Sequence, residues 1–267
     1  MKFKIRRSAS IMALLLVSII AGLALAAGPV PPAPAAAVPA ANPGAHRDYR
    51  IRNVDPTAKD DPNDGRMWRI NEFSVWEEPG AYQGNPARAL HREDRSSKGD
   101  RVLWEVTAAP DLRPYQASRK VYTRQNKLIE DSTEIYANHF YRFPPRTIHG
   151  VTISWALERL DLTIGRRTDY WFTLGTENEP WQMFMTPEAE ETVTVPAGTF
   201  KCVRVKVELS ADKLPGFLKM LPKFVIRQII TPSNGWVTKD THIMVKYQGK
   251  LEGPGAPEKV QELVRIR

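Results

Sequence analysis

The sequence predicts an all-β fold with minor helix: an antiparallel curved sheet closed into a half-barrel or barrel. Three observations predict it. Apolar residues recur with period two in short runs bounded by Gly, Pro, Asn and Asp; helical periodicity is confined to two short stretches; and no strand–helix–strand rhythm occurs. About twelve strands laid out flat would leave long unprotected edges, so the sheet is expected to curve on a core. Its concave side is a natural pocket.

The chain opens with an export signal. Lys2, Lys4, Arg6 and Arg7 precede an apolar run over 11–26 that ends in Ala24, Leu25 and Ala26, the three-part layout of a secretory leader. The run is short of the roughly 20 residues that a spanning helix needs, and cleavage after Ala26 is expected. The alternative is an uncleaved N-terminal membrane anchor with its basic flank inside the cell. Both place the rest of the chain outside the cytoplasm, in the periplasm or otherwise exported. No Cys follows the run, so lipid attachment at the cleavage site is excluded.

Residues 27–47 form a linker, with six prolines among alanines between positions 28 and 45. That composition favours an extended, polyproline-like spacer. Residues 48–267 are then expected to be a single β-rich domain, with neither an internal boundary nor a repeat.

Within this domain the expected strands are 67–76, 101–107, 119–124, 133–143, 151–157, 169–174, 181–185, 191–195, 199–209, 225–231, 241–248 and 260–267. Helical signals are two. Asn85 caps a short turn that begins at Pro86 and runs through Glu93, and Leu214, Phe217, Leu218 and Leu221 recur at i, i+3, i+4 and i+7.

Charge excludes one class of function. The formal net charge is +8, from 38 Lys+Arg and 30 Asp+Glu, but four of the basic residues sit in the leader and leave 34 against 30 without it. The domain is only mildly basic, so a nucleic-acid partner is not expected.

The clearest local feature is a hairpin over 191–208. Pro196 presets φ at the turn and Gly198 tolerates positive φ. Val203, Val205 and Val207 line one face, against Arg204, Lys206 and Glu208 on the other. Phe200 and Cys202 have the opposite parity to the valines, which predicts a bulge or twist just after the turn. The stretch Val195-Pro196-Ala197-Gly198-Thr199-Phe200 resembles the signature of domain-of-unknown-function family 3108, uncharacterised exported bacterial β-rich proteins. Residues 243–251, 254–257 and 262–264 resemble that family's last two strands, and the likeness is best over 190–267. It implies a periplasmic antiparallel fold akin to the curved half-barrels of lipoprotein-carrier proteins, and carries no catalytic residues with it. The segment 211–224 departs from the family in being more apolar. It reads either as a lid or membrane-touching loop or as a short helix plugging the sheet, limited to about two turns by Pro222.

Catalytic and metal chemistry find little support. His46, His91, His139, His149 and His242 are scattered, with His139 expected in a strand. The Asp-rich 60–65 stretch has Pro62 at a liganding position and Asn71 where a calcium loop needs Glu. Ser210-x-x-Lys213 lacks the companion motifs of penicillin-interacting enzymes. Glu177, Glu179, Glu188, Glu190 and Glu191 are carboxylates in turn-like charge runs. Cys202, the single cysteine, reads as a small buried hydrophobe. No metal or other cofactor is expected.

The aromatic residues remain, with Trp155, Trp171, Trp181 and Trp236 in or near the sheet. They suit either a ligand pocket or core packing. The candidate pocket or lid residues are Trp155, Trp171, Leu214, Phe217, Leu218 and Leu221. The function expected is a non-catalytic periplasmic protein that binds an apolar or amphipathic envelope component, a lipid or acyl chain. The alternatives are an envelope or cell-wall hydrolase and a structural or scaffold protein of the envelope. The expected partners are therefore an envelope lipid or an envelope protein, with membrane proximity at most.

Overall fold

Two antiparallel meanders, zipped together by strands near the two ends of the chain, make up one sheet. The computed structural model describes residues 44–55, 70–176, 179–210, 226, 231–249 and 257–267. The first meander is β1 (Arg47–Asn53), β2 (Ile70–Tyr82), β3 (Asn85–Ser96), β4 (Arg101–Ala108), β5 (Pro114–Tyr122) and β6 (Leu128–Ile135). A short strand β7 (Thr147–His149) and one helix α1 (Ile153–Glu158) follow. The second meander is β8 (Thr168–Thr173), β9 (Trp181–Val195), β10 (Gly198–Leu209), β11 (Ser233–Thr238), β12 (Met244–Gly249) and β13 (Lys259–Ile266).

Thirteen strands run in the order β6-β5-β4-β3-β2-β1-β13-β12-β11-β10-β9-β8-β7. The central seam is β1 on β13, with Arg47 opposite Ile266 and Asn53 opposite Lys259. Among the described residues only β7, on β8, pairs in parallel. Among the described residues the sheet is not closed, yet side chains of β4 and β6 reach across to its other end. The ring of Trp104 on β4 lies 5.5 Å from that of His149 on β7, and the Thr176 N–H donates to Glu134 Oε2 at 3.2 Å. An antiparallel curved sheet of the expected class is what forms.

Its concave face holds the core. Phe73, Val75, Leu90, Val106, Val205, Val237, Met185 and Leu263 are buried there together with α1. The helix is buried on every side from Ser154 to Glu158. It sits so close to β11 that a Cβ added at Gly235 would lie 2.8 Å from Leu157 Cδ1. Absence of a side chain at 235 is what lets the helix dock.

Several expected elements are corrected. Residues 151–157 are not a strand but a 3-10 turn (Gly150–Thr152) leading into α1. A segment buried all round fits the strand pattern as well as the helix pattern, because every position is core. The turn expected after Asn85 is instead a two-residue hairpin, with Gln83 at φ 49 and Gly84 at φ 82. Pro86 is harmless in β3 because pairing to β4 begins only at Arg88.

The strand expected over 133–143 stops at Ile135. A 3-10 turn (Ala137–Arg142) follows and contains His139, which is therefore not in a strand. The expected strands 181–185 and 191–195 are one, β9, continuous through a bulge. Arg204 faces Ala189 and Val205 faces Pro187, so Glu188 is the extra residue. The bulge predicted just after the turn thus lies further from it, at Arg204 and Val205, with its extra residue on β9 rather than β10. The strand expected over 225–231, the helix over 214–221 and the loop over 60–65 lie outside the described residues, Ile226 and Thr231 excepted.

Candidate functional site

The concave face divides into an apolar region under α1 and a charged cluster where α1 ends. The apolar region is built by alternation: inward residues of β10 (Val203, Val205, Val207), β9 (Met183, Met185) and β8 (Tyr170) meet Trp155, Ala156 and Leu157 of the helix. The Tyr170 hydroxyl points to the Ala156 carbonyl at 3.5 Å. Trp155 is 2% exposed, and its indole Nε1 is buried without a hydrogen-bond partner.

The charged cluster interrupts this core. Along β2 the inward parity carries Phe73 and Val75 and then, where a third apolar residue would fit, Glu77. Glu77 Oε1 accepts from Arg88 Nη1 of β3 at 2.9 Å and from Arg159 Nη2 at 2.6 Å. Glu158, the last residue of α1, faces Arg47 of β1 at 2.9 Å, both side chains 4% exposed. Its other oxygen accepts the Met244 N–H at 3.2 Å, while the Met244 carbonyl accepts from the Tyr49 hydroxyl at 2.7 Å.

Burial raises the Glu158 carboxyl, and the Arg47 guanidinium opposes that rise. Burial lowers Arg159, with Glu77 opposing. These charges clamp the helix end to β1, β2 and β12. Such a clamp is costly to desolvate, and its geometry is fixed by mutual satisfaction. Two donors are left over: Arg47 Nε and Arg159 Nη1 are buried with no hydrogen-bond partner.

A second inward group lies on β3–β6. Asp94 is 3% exposed and its carboxyl, raised by burial, is held by Arg92 Nε at 2.7 Å. The Arg92 guanidinium also stacks 4.3 Å from the Phe73 ring centroid. Arg119 pairs with Glu130. His149, buried against Trp104 and Tyr136, has its pKa lowered to about 4 by desolvation.

The structure separates the residues that the sequence proposed for a pocket. Trp155 is core, on a helix rather than a strand. Trp171 is half-buried on β8, on the face opposite Tyr170 and hence opposite α1. The two are not brought together, and Leu214, Phe217, Leu218 and Leu221 lie outside the described residues.

Three of the five carboxylates weighed for catalysis are engaged in ion pairs. Glu191 holds Arg204 at 2.7 Å and the Trp236 indole at 2.8 Å. Glu190 holds Lys239 at 2.6 Å and Glu188 holds Arg204 at 3.4 Å. Glu179 lies in the described chain, and Glu177 outside it. Cys202 is fully buried and its thiol is pushed up to about 11, which removes the thiolate that a nucleophile needs. Among the described residues no three His, Cys, Asp or Glu come together as a metal site, and no helix is long and apolar enough to cross a membrane.

Sequence reasoning passed over Arg47, Glu77, Arg88, Glu158 and Arg159. Two signals could have found them: Glu77 breaks the apolar parity of its strand, and Glu158-Arg159 directly follows an apolar run.

The chain matches no family model and no curated protein. Among solved structures it is similar to a Bacteroides fragilis protein described as exported and of YmcC-like fold, at 11% identity and a TM-score of 0.33, over 85% of this chain and 97% of that one. It is also similar to the hypothetical lipoprotein YmcC of Escherichia coli, at 12% identity and a TM-score of 0.33, over 84% of each chain. A third is the β-barrel-like protein of domain of unknown function 1849 from Brucella abortus, at 8% identity and a TM-score of 0.41, over 84% of this chain and 97% of that one.

Proposed function

We propose that this is an exported, non-catalytic protein of the cell envelope that holds an apolar or amphipathic envelope molecule, a lipid or acyl chain, in its curved sheet. The observation that carries the reading is the unclosed seam. The apolar concave face is bounded by β6 and β7, which share no ladder among the described residues; side chains of β4 and β6 reach the other end of the sheet instead, Trp104 to His149 of β7 and Glu134 to the Thr176 N–H beyond β8. A sheet closed only by side chains can part there without breaking a backbone ladder, admitting a chain to the core. The leader over 1–26 and the Pro/Ala-rich stretch after it support a place in the periplasm or otherwise outside the cytoplasm, and the hairpin at Pro196 supports membership of family 3108.

Native mass spectrometry of protein purified from its own envelope tests the proposal, together with uptake of a fluorescent acyl probe. A co-purifying lipid and saturable uptake are expected. Neither appearing would sink it, and turnover on a panel of envelope and cell-wall substrates would replace it with a hydrolase.

A further inference from the structure

The charged cluster at the end of α1 is unbalanced. Three guanidinium groups, Arg47, Arg88 and Arg159, share two carboxylates, Glu77 and Glu158. One oxygen, Glu77 Oε1, serves both Arg88 and Arg159. Two N–H donors in this small space, Arg47 Nε and Arg159 Nη1, are buried with no acceptor. A folded chain rarely leaves charged donors unmet inside its core, and each carboxylate in the cluster already accepts a guanidinium. The surplus is one positive charge and two unmet donors, which is the complement of an anion. Arg88, with its side chain one-third exposed, and Arg159, at 16%, are the members of the cluster that reach solvent, while Arg47 is buried.

The cluster also borders the apolar core that the parted sheet would open. Glu77 lies opposite Leu90, which lies opposite Val106, both apolar and buried. Tyr170 lies near Arg159, and Leu157 directly precedes Glu158 on α1.

We propose that Arg47, Arg88 and Arg159 form a head-group site for an anionic amphiphile, taking a carboxylate or phosphate on the guanidinium groups while its chain lies along Leu90 and Val106. This rests on the acyl-binding reading above and gives it a polarity: the site prefers an acid to its ester.

Binding of a fluorescent long-chain fatty acid, of its methyl ester, of dodecyl phosphate and of inorganic phosphate to the purified domain tests it, with Arg159→Gln and Arg88→Gln beside the wild type. The acid and dodecyl phosphate should bind the wild type at least tenfold more tightly than the ester. Arg159→Gln should erase that ratio while leaving ester binding in place, which also shows that the variant is folded. Arg88→Gln, at a more exposed position, should reduce the ratio and covers the case in which Arg159→Gln does not fold. Acid and ester binding equally well would overturn the head-group site and leave the acyl-binding reading standing. If no acyl probe binds, but inorganic phosphate raises the melting temperature of the wild type and not of Arg159→Gln, the anion site stands and its anion is free rather than a lipid's. If neither an acyl probe nor phosphate acts, both ideas fall.

Discussion

At the scale of single residues, two buried groups convert their surroundings into measurable behaviour. His149 sits where the two ends of the sheet meet, and burial brings its pKa from 6.5 to about 4. The folded state therefore favours the neutral ring. Its contribution is fully present above pH 6.5, where the unfolded chain is also neutral, and is lost as pH falls from 6.5 through 4 while the unfolded chain takes up a proton. The shift corresponds to about 3 kcal/mol. Denaturant titrations from pH 8 to 4 should show this loss in the wild type, and His149→Gln should flatten it; equal slopes for the two proteins would refute the assignment.

Cys202 makes a second case. Buried in β10 with its thiol pushed up to about 11, it should ignore a thiol reagent at pH 8 in the native protein. One thiol should titrate in guanidinium. Rapid native labelling would show that β10 opens locally.

At the scale of elements, the decisive contact is α1 on β11. Gly235→Ala would bring a Cβ to 2.8 Å of Leu157 Cδ1 inside a packed core. Overpacking of this kind costs about 1–3 kcal/mol. Pairing it with Leu157→Ala should restore part of the loss relative to the sum of the single changes, because the methyl that clashes is gone. Strict additivity in a double-mutant cycle would show that the helix has another way to move.

This helix also marks the limit of what the sequence discloses. The strands with one face in water, such as β4, β8 and β10, declare themselves by alternation, since solvent and core impose opposite chemistry on neighbouring residues. Within α1 no face meets water, so periodicity carries no information, and 151–157 passes for a strand. Pro86 hides β3 for a different reason, since whether its missing N–H matters depends on where β4 begins. The charged cluster is half legible. Glu77 on a core parity is visible in the sequence, but its meeting with Arg88 and Arg159 is set by the hairpin register and by where α1 lands.

At the scale of the whole molecule, the sheet is held at its middle by residues near opposite ends of the chain. β13 lies between β1 and β12, so its ladder on one side closes a loop from Arg47 to Ile266. Closing so long a loop early is entropically unfavourable, and the reward arrives only when β12 and β1 are both in place. Either meander alone would present an unpaired edge, β1 in the first and β13 in the second, and each covers the other.

A chain ending at Glu258 would lose both ladders of β13 and the burial of Val260 and Leu263. Two such side chains are worth about 1.5–3 kcal/mol each, against a total stability of about 5–15 kcal/mol for a domain. The loss also uncouples the two meanders. The truncated chain should therefore melt without a cooperative transition and expose apolar surface to a hydrophobic dye. By contrast, Arg265→Ala, which removes only an exposed partner of Asp48, should change stability by about 1 kcal/mol or less. If the truncated chain kept a sharp transition, the meanders would be independent folding units and the seam between β1 and β13 a mere contact. A graded loss across progressively shorter chains would instead place the coupling in the first residues of β13, where Lys259 and Val260 pair with both neighbours.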